Sequence, residues 1–458
     1  MKNVYLIGIG GIGMSALARY YKHAGCNVAG YDRTPSPLTG ELEAEGIAVH
    51  YTDDVSLIPG SFKSGAGSVL VIYTPAVPSN HSELQYYRTN SYEVVKRSAV
   101  LGLIARQKHT LAVAGTHGKT TTSTLLAHLL TVATEGCTAF LGGISKNYHT
   151  NLLLSNSPYL VAEADEFDRS FLQLYPQAAV ITSADADHLD IYGTSEEVNK
   201  AFGEFASQVQ PDGVLIVKKG VDIPLPTAGQ KIYRYSYNEP CDYYASNIQP
   251  SGNGYFTFDI NTPEGAISGC TLGIPGWVNI ENAVAATALA LSVNADREKL
   301  KQALASFEGV KRRFDVQINT PKLTYIDDYA HHPEELKAAL TSIRQMFPQR
   351  KLTAIFQPHL YTRTRDFYKE FAQSLSLADE LILLDIYPAR ELPIEGVTSQ
   401  LILDKVTIKD KQLCDKDELL PLLQHNTGID VLVTLGAGDI DRFVQPIKEM
   451  LTERLARQ

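Results

Sequence analysis

Cysteine is scarce and scattered in this chain. Cys26, Cys137, Cys241, Cys270 and Cys414 are odd in number and show no C-x-x-C spacing. That pattern excludes a disulfide frame or a zinc ribbon and reads as buried thiols in a reducing compartment. An excess of basic residues is also missing. Lys and Arg number 41 against 51 Asp and Glu, a net charge of −10 with a pI near 5.7. No sequence-independent grip on nucleic acid is therefore expected. No apolar run approaches the roughly 18 residues that span a bilayer, so no membrane partner is expected either. Internal repeats and low-complexity segments are absent. The opening Met1-Lys-Asn-Val-Tyr-Leu-Ile-Gly8 runs straight into a strand and a glycine loop, unlike a signal peptide, and the expected location is the cytoplasm.

What is present is a globular composition, 44% hydrophobic and 20% charged, over 458 residues, a length suited to roughly three domains. Short apolar runs alternate with helical stretches, which implies parallel sheets covered by helices. The most informative stretch is Gly115-Thr116-His117-Gly118-Lys119-Thr120-Thr121, directly after the apolar run Thr110–Ala114. A glycine loop between a buried strand and a helix points backbone N–H groups at an anion, and the helix dipole adds to the attraction. Lys119 supplies a point charge for the β/γ-phosphates and Thr120 a hydroxyl for Mg²⁺. Val113 stands where the longer phosphate-loop pattern has its first glycine, so this is the shorter Gly-x-x-Gly-Lys-Thr form. ATP or GTP is the expected ligand.

A second glycine loop follows the first strand. Gly8, Gly10 and Gly13, with Gly11 between them, satisfy the dinucleotide fingerprint, and Asp32 at the end of the next strand stands where an acid meets a ribose. Alone, this pattern fits an NAD(P)-dependent oxidoreductase. Beside a γ-phosphate cradle, the more economical reading is a nucleotide-linked substrate held by its diphosphate. The strand Tyr159–Glu163 ends in acids, the place for an Mg²⁺ carboxylate beside a phosphate loop. Asp187-His188, after the strand Ala178–Thr182, offers a ligand for a second metal or a water. Asp327–Pro333 and Gln357–Asp366 each follow a strand, and loops at strand C-termini are where open α/β sheets bind ligands. An arginine fork there, Arg363 or Arg365, suits a carboxylate or phosphate. His331 and His332 are adjacent, diverge in direction and are not expected to share one ion.

Gly8–Gly13, Gly115–Thr122, Glu163–Asp168, Asp187-His188, Asn279–Asn282, Arg312-Arg313-Phe314, Asp327–Pro333 and Gln357–Asp366, in this order, resemble the Mur ligases, ATP-dependent amide-forming enzymes of peptidoglycan assembly. The resemblance covers essentially the whole chain. It implies an α/β fold of three domains: a Rossmann-like UDP-sugar domain at 1–107, a central P-loop ATPase domain at 108–310 and a Rossmann-like amino-acid domain at 311–458. The central domain would carry a parallel sheet with a small antiparallel addition. It also implies roles. Lys119 contacts the ATP phosphates; Thr120 and Glu163 hold one Mg²⁺ and His188 a second. Asn279 and Asn282 face the adenine and the metal–phosphate region, Asp328 the ribose, and Arg313 the transferred phosphoryl group. Tyr329, His331 and Arg363 shape the amino-acid pocket. Within the family the chain is most similar to the branch that joins L-alanine to UDP-N-acetylmuramate, as a monomer or homodimer. A branch that attaches an intact L-Ala-γ-D-Glu-diaminopimelate tripeptide to the same nucleotide sugar is the alternative. Three positions depart from the pattern: Val278 where a histidine is usual, Leu360 where many alanine-adding relatives have a second arginine, and Gly203 where other branches have a carbamylated lysine.

Overall fold

The computed structural model describes residues 3–185, 189–389 and 391–457. Three sheets follow one another along the chain. The first holds β1 (Asn3–Ile7), β2 (Asn27–Tyr31), β3 (Ala48–His50), β4 (Val69–Tyr73) and β5 (Glu93–Lys96) in the order β3-β2-β1-β4-β5, parallel throughout. Val4, Tyr5, Leu6 and Ile7 are all fully buried, as a strand covered on both faces requires.

The second sheet comprises β6 (His109–Ala114), β7 (Thr138–Phe140), β8 (Leu152–Leu153), β9 (Tyr159–Ala164), β10 (Ala178–Ile181), β11 (Val214–Lys218), β12 (Lys231–Ser236), β13 (Tyr243–Gly252), β14 (Tyr255–Asn261) and β15 (Ile267–Thr271). Its order is β15-β14-β13-β12-β11-β10-β6-β9-β7-β8. The phosphate-loop strand β6 is thus central, flanked by β9 with Val113 opposite Glu163 and by β10 with Ala114 opposite Ile181. An antiparallel addition was expected from about Cys241. The pairing of β13 with β12 is still parallel, through Tyr235–Tyr243, so the reversal comes one strand later. It comes at Asn253-Gly254, both with positive φ (50° and 79°), the two-residue turn whose twist suits a hairpin. The third sheet, β16 (Asp315–Asn319), β17 (Thr324–Asp328), β18 (Leu352–Phe356), β19 (Glu380–Leu383), β20 (Asp410–Leu413) and β21 (Val431–Leu435), has the order β16-β17-β21-β18-β19-β20, with β16 antiparallel at its edge.

The chain divides into two compact units, 1–246 with 259–270 and 281–308, and 247–258 with 271–280 and 309–458. The first sheet and most of the second share a unit because one apolar cluster runs through both. Val4 and Leu6 of β1 join Ala112, Leu160 and Ile181 of the second sheet through Val100, Leu101 and Ile104 of the helix Arg97–Ala105. Each such fully buried aliphatic side chain contributes roughly 1.5–3 kcal/mol. In the second unit, two clusters coat opposite faces of the third sheet, one around Ile326, Phe356 and Val433, the other around Tyr325, Ile355 and Leu432.

None of the five cysteines is in a disulfide, but only Cys137, Cys270 and Cys414 are buried. Cys26 and Cys241 are half-buried, each just ahead of a strand, and Cys26 packs against the edge of the first unit's apolar cluster. Among the described residues no helix is long and apolar enough to cross a membrane.

Candidate active site

The first glycine loop turns at Gly8, whose φ is +86°. The Gly8 and Ile9 amides donate to Tyr31 O at 2.8 and 2.9 Å, which ties the loop to the end of β2. Asp32 continues that tie: its carboxylate accepts from Gly10 N at 2.7 Å and from Thr34 N at 3.1 Å. A Cβ on Gly10 would lie 2.8 Å from that carboxylate. Asp32 therefore braces the loop, a role its position at the strand end does not disclose. Gly11 caps the helix Ile12–His23, and Gly13 lies in its first turn.

The second loop rises from β6. Gly115 (φ +140°) packs so closely on β10 that a Cβ would fall 2.0 Å from Thr182 Oγ1. Gly118 (φ +79°) is the left-handed cap of the helix Lys119–Ala133. Ser183 holds the loop between them, accepting from Thr116 N through its carbonyl at 3.3 Å and from His117 N through its hydroxyl at 2.8 Å. The first four amides of a helix have no partner within it, and here they belong to Gly118–Thr121 at the loop's mouth, Thr122 N already donating to Gly118 O at 3.0 Å. Thr121 is half-buried in the same turn. Asn282, in the helix Trp277–Leu291, accepts from Thr122 Oγ1 at 3.2 Å, and a Cβ on Gly118 would lie 3.0 Å from the same oxygen.

Lys119 Nζ donates to Gly115 O at 2.6 Å and pairs with Glu166, 2.9 and 2.8 Å from its two carboxylate oxygens. Burial works against the ammonium charge, but Glu166, Asp165 and Glu163 outweigh it and raise the Lys119 pKa, so the lysine stays a cation. Glu166 is only 2% exposed. Sequence reasoning placed this glutamate in an acidic run without giving it a role. Its signal was its distance of three residues from Glu163, just past the strand end.

Beneath the loop, Thr120 Oγ1 donates to Glu163 Oε1 at 3.2 Å, and Ser123 Oγ to Glu163 Oε2 at 3.4 Å. The carboxylate fits there because residue 142 is glycine: a Cβ on Gly142 would come within 2.2 Å of Glu163 Oε2. A hydroxyl and a carboxylate oxygen side by side at a phosphate loop are the hard donors Mg²⁺ takes, with phosphates and water completing its shell. His188 and Asp187 lie outside the described residues. Among the described residues no group of three or more His, Cys, Asp or Glu could hold a metal by itself. At Gly203 a Cβ would meet the Pro224 ring at 2.8–2.9 Å, so that position has no room for a lysine.

In the second unit, Arg313 is flanked by two residues with positive φ, Arg312 at 64° and Phe314 at 47°. Such strain persists only where the surroundings enforce it. Here Asp328 does so, accepting from Phe314 N at 2.8 Å and Ala330 N at 2.7 Å. Burial pushes the Asp328 carboxyl up to about 6, against the pull of Arg313 and these two amides. Arg312 is engaged elsewhere, with Asp327 at 3.3 Å and Gly436 O at 2.6 Å. The Arg313 guanidinium lies 4.7 Å from the Tyr329 ring centroid. Asn279 is buried in this unit, donating to Pro275 O at 2.6 Å.

Tyr329 meets His331 edge-on at 5.1 Å, and His331 meets His359 at 5.8 Å. His331 Nδ1 lies 3.0 Å from Tyr329 O, while His332 turns away onto Phe367, so the two histidines diverge as expected. The Tyr387 ring, stacked on His359 at 5.8 Å, extends the cluster and was not foreseen. Leu360, in the left-handed region at φ +71°, starts the helix Tyr361–Leu375 that carries both candidate arginines. Arg365 is exposed and bound to its neighbour Asp366 at 2.7 Å. Arg363 instead has a buried Nη1 with no hydrogen-bond partner among the described residues.

Parallel strands that end on two glycine loops, one bearing a lysine and backed by a carboxylate, define an α/β enzyme of the nucleotide-dependent, phosphoryl-transferring class. Models of the Mur ligase family catalytic domain, the Mur ligase middle domain and the Mur ligase glutamate ligase domain match residues 3–109, 113–290 and 312–438. The chain belongs to the Mur ligase family and is an ATP-dependent ligase with all three Mur ligase domains. It is 54% identical to the UDP-N-acetylmuramate–L-alanine ligase of Parabacteroides distasonis over 99% of this chain and 98% of that protein. The crystal structure of UDP-N-acetylmuramate–alanine ligase from Thermotoga maritima superposes with a TM-score of 0.79 at 28% identity, covering 98% of this chain and 99% of that one. A murein peptide ligase from Psychrobacter arcticus shares the fold, with a TM-score of 0.70 at 22% identity over 98% and 99% of the two chains.

Proposed function

We propose that this chain joins L-alanine to the lactyl carboxylate of UDP-N-acetylmuramate, with ATP converted to ADP and phosphate, in peptidoglycan precursor synthesis. The observation that carries the chemistry is the Thr120–Glu163 pair at 3.2 Å beneath the Lys119 loop, a hydroxyl and a carboxylate set for a phosphate-bound cation. The 54% identity to an alanine-adding relative favours the substrates over the tripeptide and nicotinamide alternatives.

In this reading residues 1–107 bind the UDP-sugar through Gly8, Gly10, Gly11 and Gly13 with Asp32 bracing the loop, 108–310 bind ATP, and 311–458 bind alanine. Lys119 neutralises phosphate charge, and Gly115–Thr121 with Asn279, Asn282 and Asp328 position the nucleotide. Thr120, Glu163 and His188 would hold Mg²⁺, which when bound offsets the charge that develops on the transferring phosphoryl group. Arg313 stabilises that group as well. A lactyl carboxylate oxygen attacks the γ-phosphorus, giving an acyl phosphate and ADP. The alanine amine then attacks the acyl carbon, and phosphate leaves from the tetrahedral intermediate. Arg363 holds the alanine carboxylate, with Tyr329 and His331 walling its methyl group. The enzyme works in the cytoplasm as a monomer or homodimer.

Phosphate release from ATP, measured with UDP-N-acetylmuramate and a panel of amines, tests this. L-alanine should give the highest kcat/KM, with glycine and serine poorer but usable, since one methyl is worth only about 1–3 kcal/mol. A higher kcat/KM for the tripeptide would overturn the assignment. Arg363→Ala should raise the KM for alanine roughly tenfold or more while the KM for ATP stays near wild type, because a carboxylate loses its charge-assisted partner.

A further inference from the structure

The sugar-nucleotide loop has no lysine of its own, yet a cation reaches it from another helix. Arg97 opens the helix Arg97–Ala105 directly after β5, and its guanidinium fills the space where residue 13 lacks a side chain. A Cβ on Gly13 would lie 2.6 Å from Arg97 Nη1 and 3.2 Å from its Cδ. The third glycine of the fingerprint thus admits a charge to the first turn of the helix Ile12–His23.

That charge is only lightly engaged. Among the described residues the guanidinium makes one hydrogen bond, from Nη2 to Asp165 Oδ2 at 3.4 Å, long for a charge-assisted pair. A guanidinium has five N–H donors. Its neighbour Lys96 is by contrast closely paired, with Asp168 at 2.9 Å. Asp165 immediately precedes Glu166, the partner of Lys119, and lies two residues past Glu163. Arg97 therefore stands between the sugar-nucleotide loop and the acidic strand end that serves the ATP loop.

We infer that Arg97 binds an anionic group of the sugar-nucleotide substrate, its diphosphate or its lactyl carboxylate, and positions that substrate toward the phosphate loop. The inference rests on the proposed reading of the first loop as the sugar-nucleotide site. It assigns the spare donors of Arg97 to the one substrate that this loop would hold, and it makes Gly13 a clearance for the arginine.

Calorimetric titration of the full chain with uridine, UDP, UDP-N-acetylglucosamine and UDP-N-acetylmuramate separates the possibilities. Arg97→Ala should weaken binding of the anionic ligands by roughly ten- to a hundredfold, the scale of a charge-assisted hydrogen bond, and leave uridine unchanged. A loss shared by UDP and both sugars assigns the diphosphate. A loss confined to UDP-N-acetylmuramate assigns the carboxylate. Arg97→Lys should restore part of the affinity. Gly13→Ala should weaken the same ligands, and should add nothing in an Arg97→Ala background, where nothing is left to displace. Unchanged affinity for all four ligands overturns the role of Arg97, as does a loss that includes uridine. If the unaltered chain binds no UDP-N-acetylmuramate, the reading of the first loop fails instead.

Discussion

The two glycine loops solve the same backbone problem with opposite charge. At the first, the loop's own amide at Gly10 is already taken by the Asp32 carboxylate, so the turn carries a negative charge. At the second, the turn carries Lys119, and the carboxylate that balances it comes from outside, from Glu166 past β9. Glycine at a strand–helix turn fixes only the path of the chain. The sign of the charge at the turn is set by side chains, by Asp32 from the end of β2 at the first loop and by the loop's own Lys119 at the second. That is why one fingerprint, read alone, fits a dehydrogenase as well as a ligase.

The sharpest break of this contrast is removal of the built-in cation. Lys119→Ala should lower kcat roughly 10³-fold, the loss expected for one preorganised charge donor to the transition state, with UDP binding unaffected. Turnover within about tenfold of wild type, only ~1.4 kcal/mol, would remove Lys119 from the phosphate site. Next comes the metal dependence, which belongs to the second loop alone. Glu163→Ala and His188→Ala should each raise the half-saturating Mg²⁺ concentration by about tenfold or more, because a ligand is lost. A titration superimposable on wild type strikes that residue from the site, and chelation of Mg²⁺ should leave UDP binding intact.

The backbone offers a third comparison. Gly115→Ala forces a Cβ to 2.0 Å from Thr182 Oγ1 at φ +140° and should destabilise the fold by roughly 1–3 kcal/mol, read as a lower Tm. Gly11, at φ −65° with nothing closer than 3.5 Å to its Cβ position, should accept alanine within about 0.5 kcal/mol. Equal shifts in Tm for the two variants would erase the distinction between a tight and a roomy turn. The smallest effect is expected at Asp32. Asp32→Ala should weaken UDP-N-acetylmuramate by only several-fold, about 1 kcal/mol, because it removes a brace from the loop rather than a cation. A loss as large as that of Arg97→Ala would make Asp32 a direct substrate contact.

Much of this architecture is legible in the residues themselves. Strands buried on both faces read as mainly apolar runs, so β4, β18 and β21 coincide with theirs and β1 begins one residue ahead of its run, Val4–Ile7. Edge strands do not. β3, Ala-Val-His, is too short to show a period, and β16, Asp-Val-Gln-Ile-Asn, alternates polar and apolar residues but lacks an apolar run. The phosphate loop is legible because its chemistry is local, strand to glycine to lysine. The Lys119–Glu166 pair and the Arg97–Gly13 packing join residues 47 and 84 positions apart, and no spacing rule reaches that far. Arg363 and Arg365 look interchangeable in the sequence. Asp366 engages the second, while the first has a buried nitrogen without a hydrogen-bond partner among the described residues.

Glu166 gives the phosphate loop an internal competitor. It is tethered to the protein at contact distance from Lys119, so any incoming anion must displace it before the ammonium becomes available. The measured affinity of a nucleotide is therefore its intrinsic affinity reduced by the fraction of time the lysine is free. A weak ligand with one or two charges, such as inorganic phosphate, loses that contest. A triphosphate that engages the loop amides at several points wins it. Replacing Glu166 by glutamine would remove the charge but keep the shape, and the loop would then tighten on phosphate and pyrophosphate by a larger factor than on ATP.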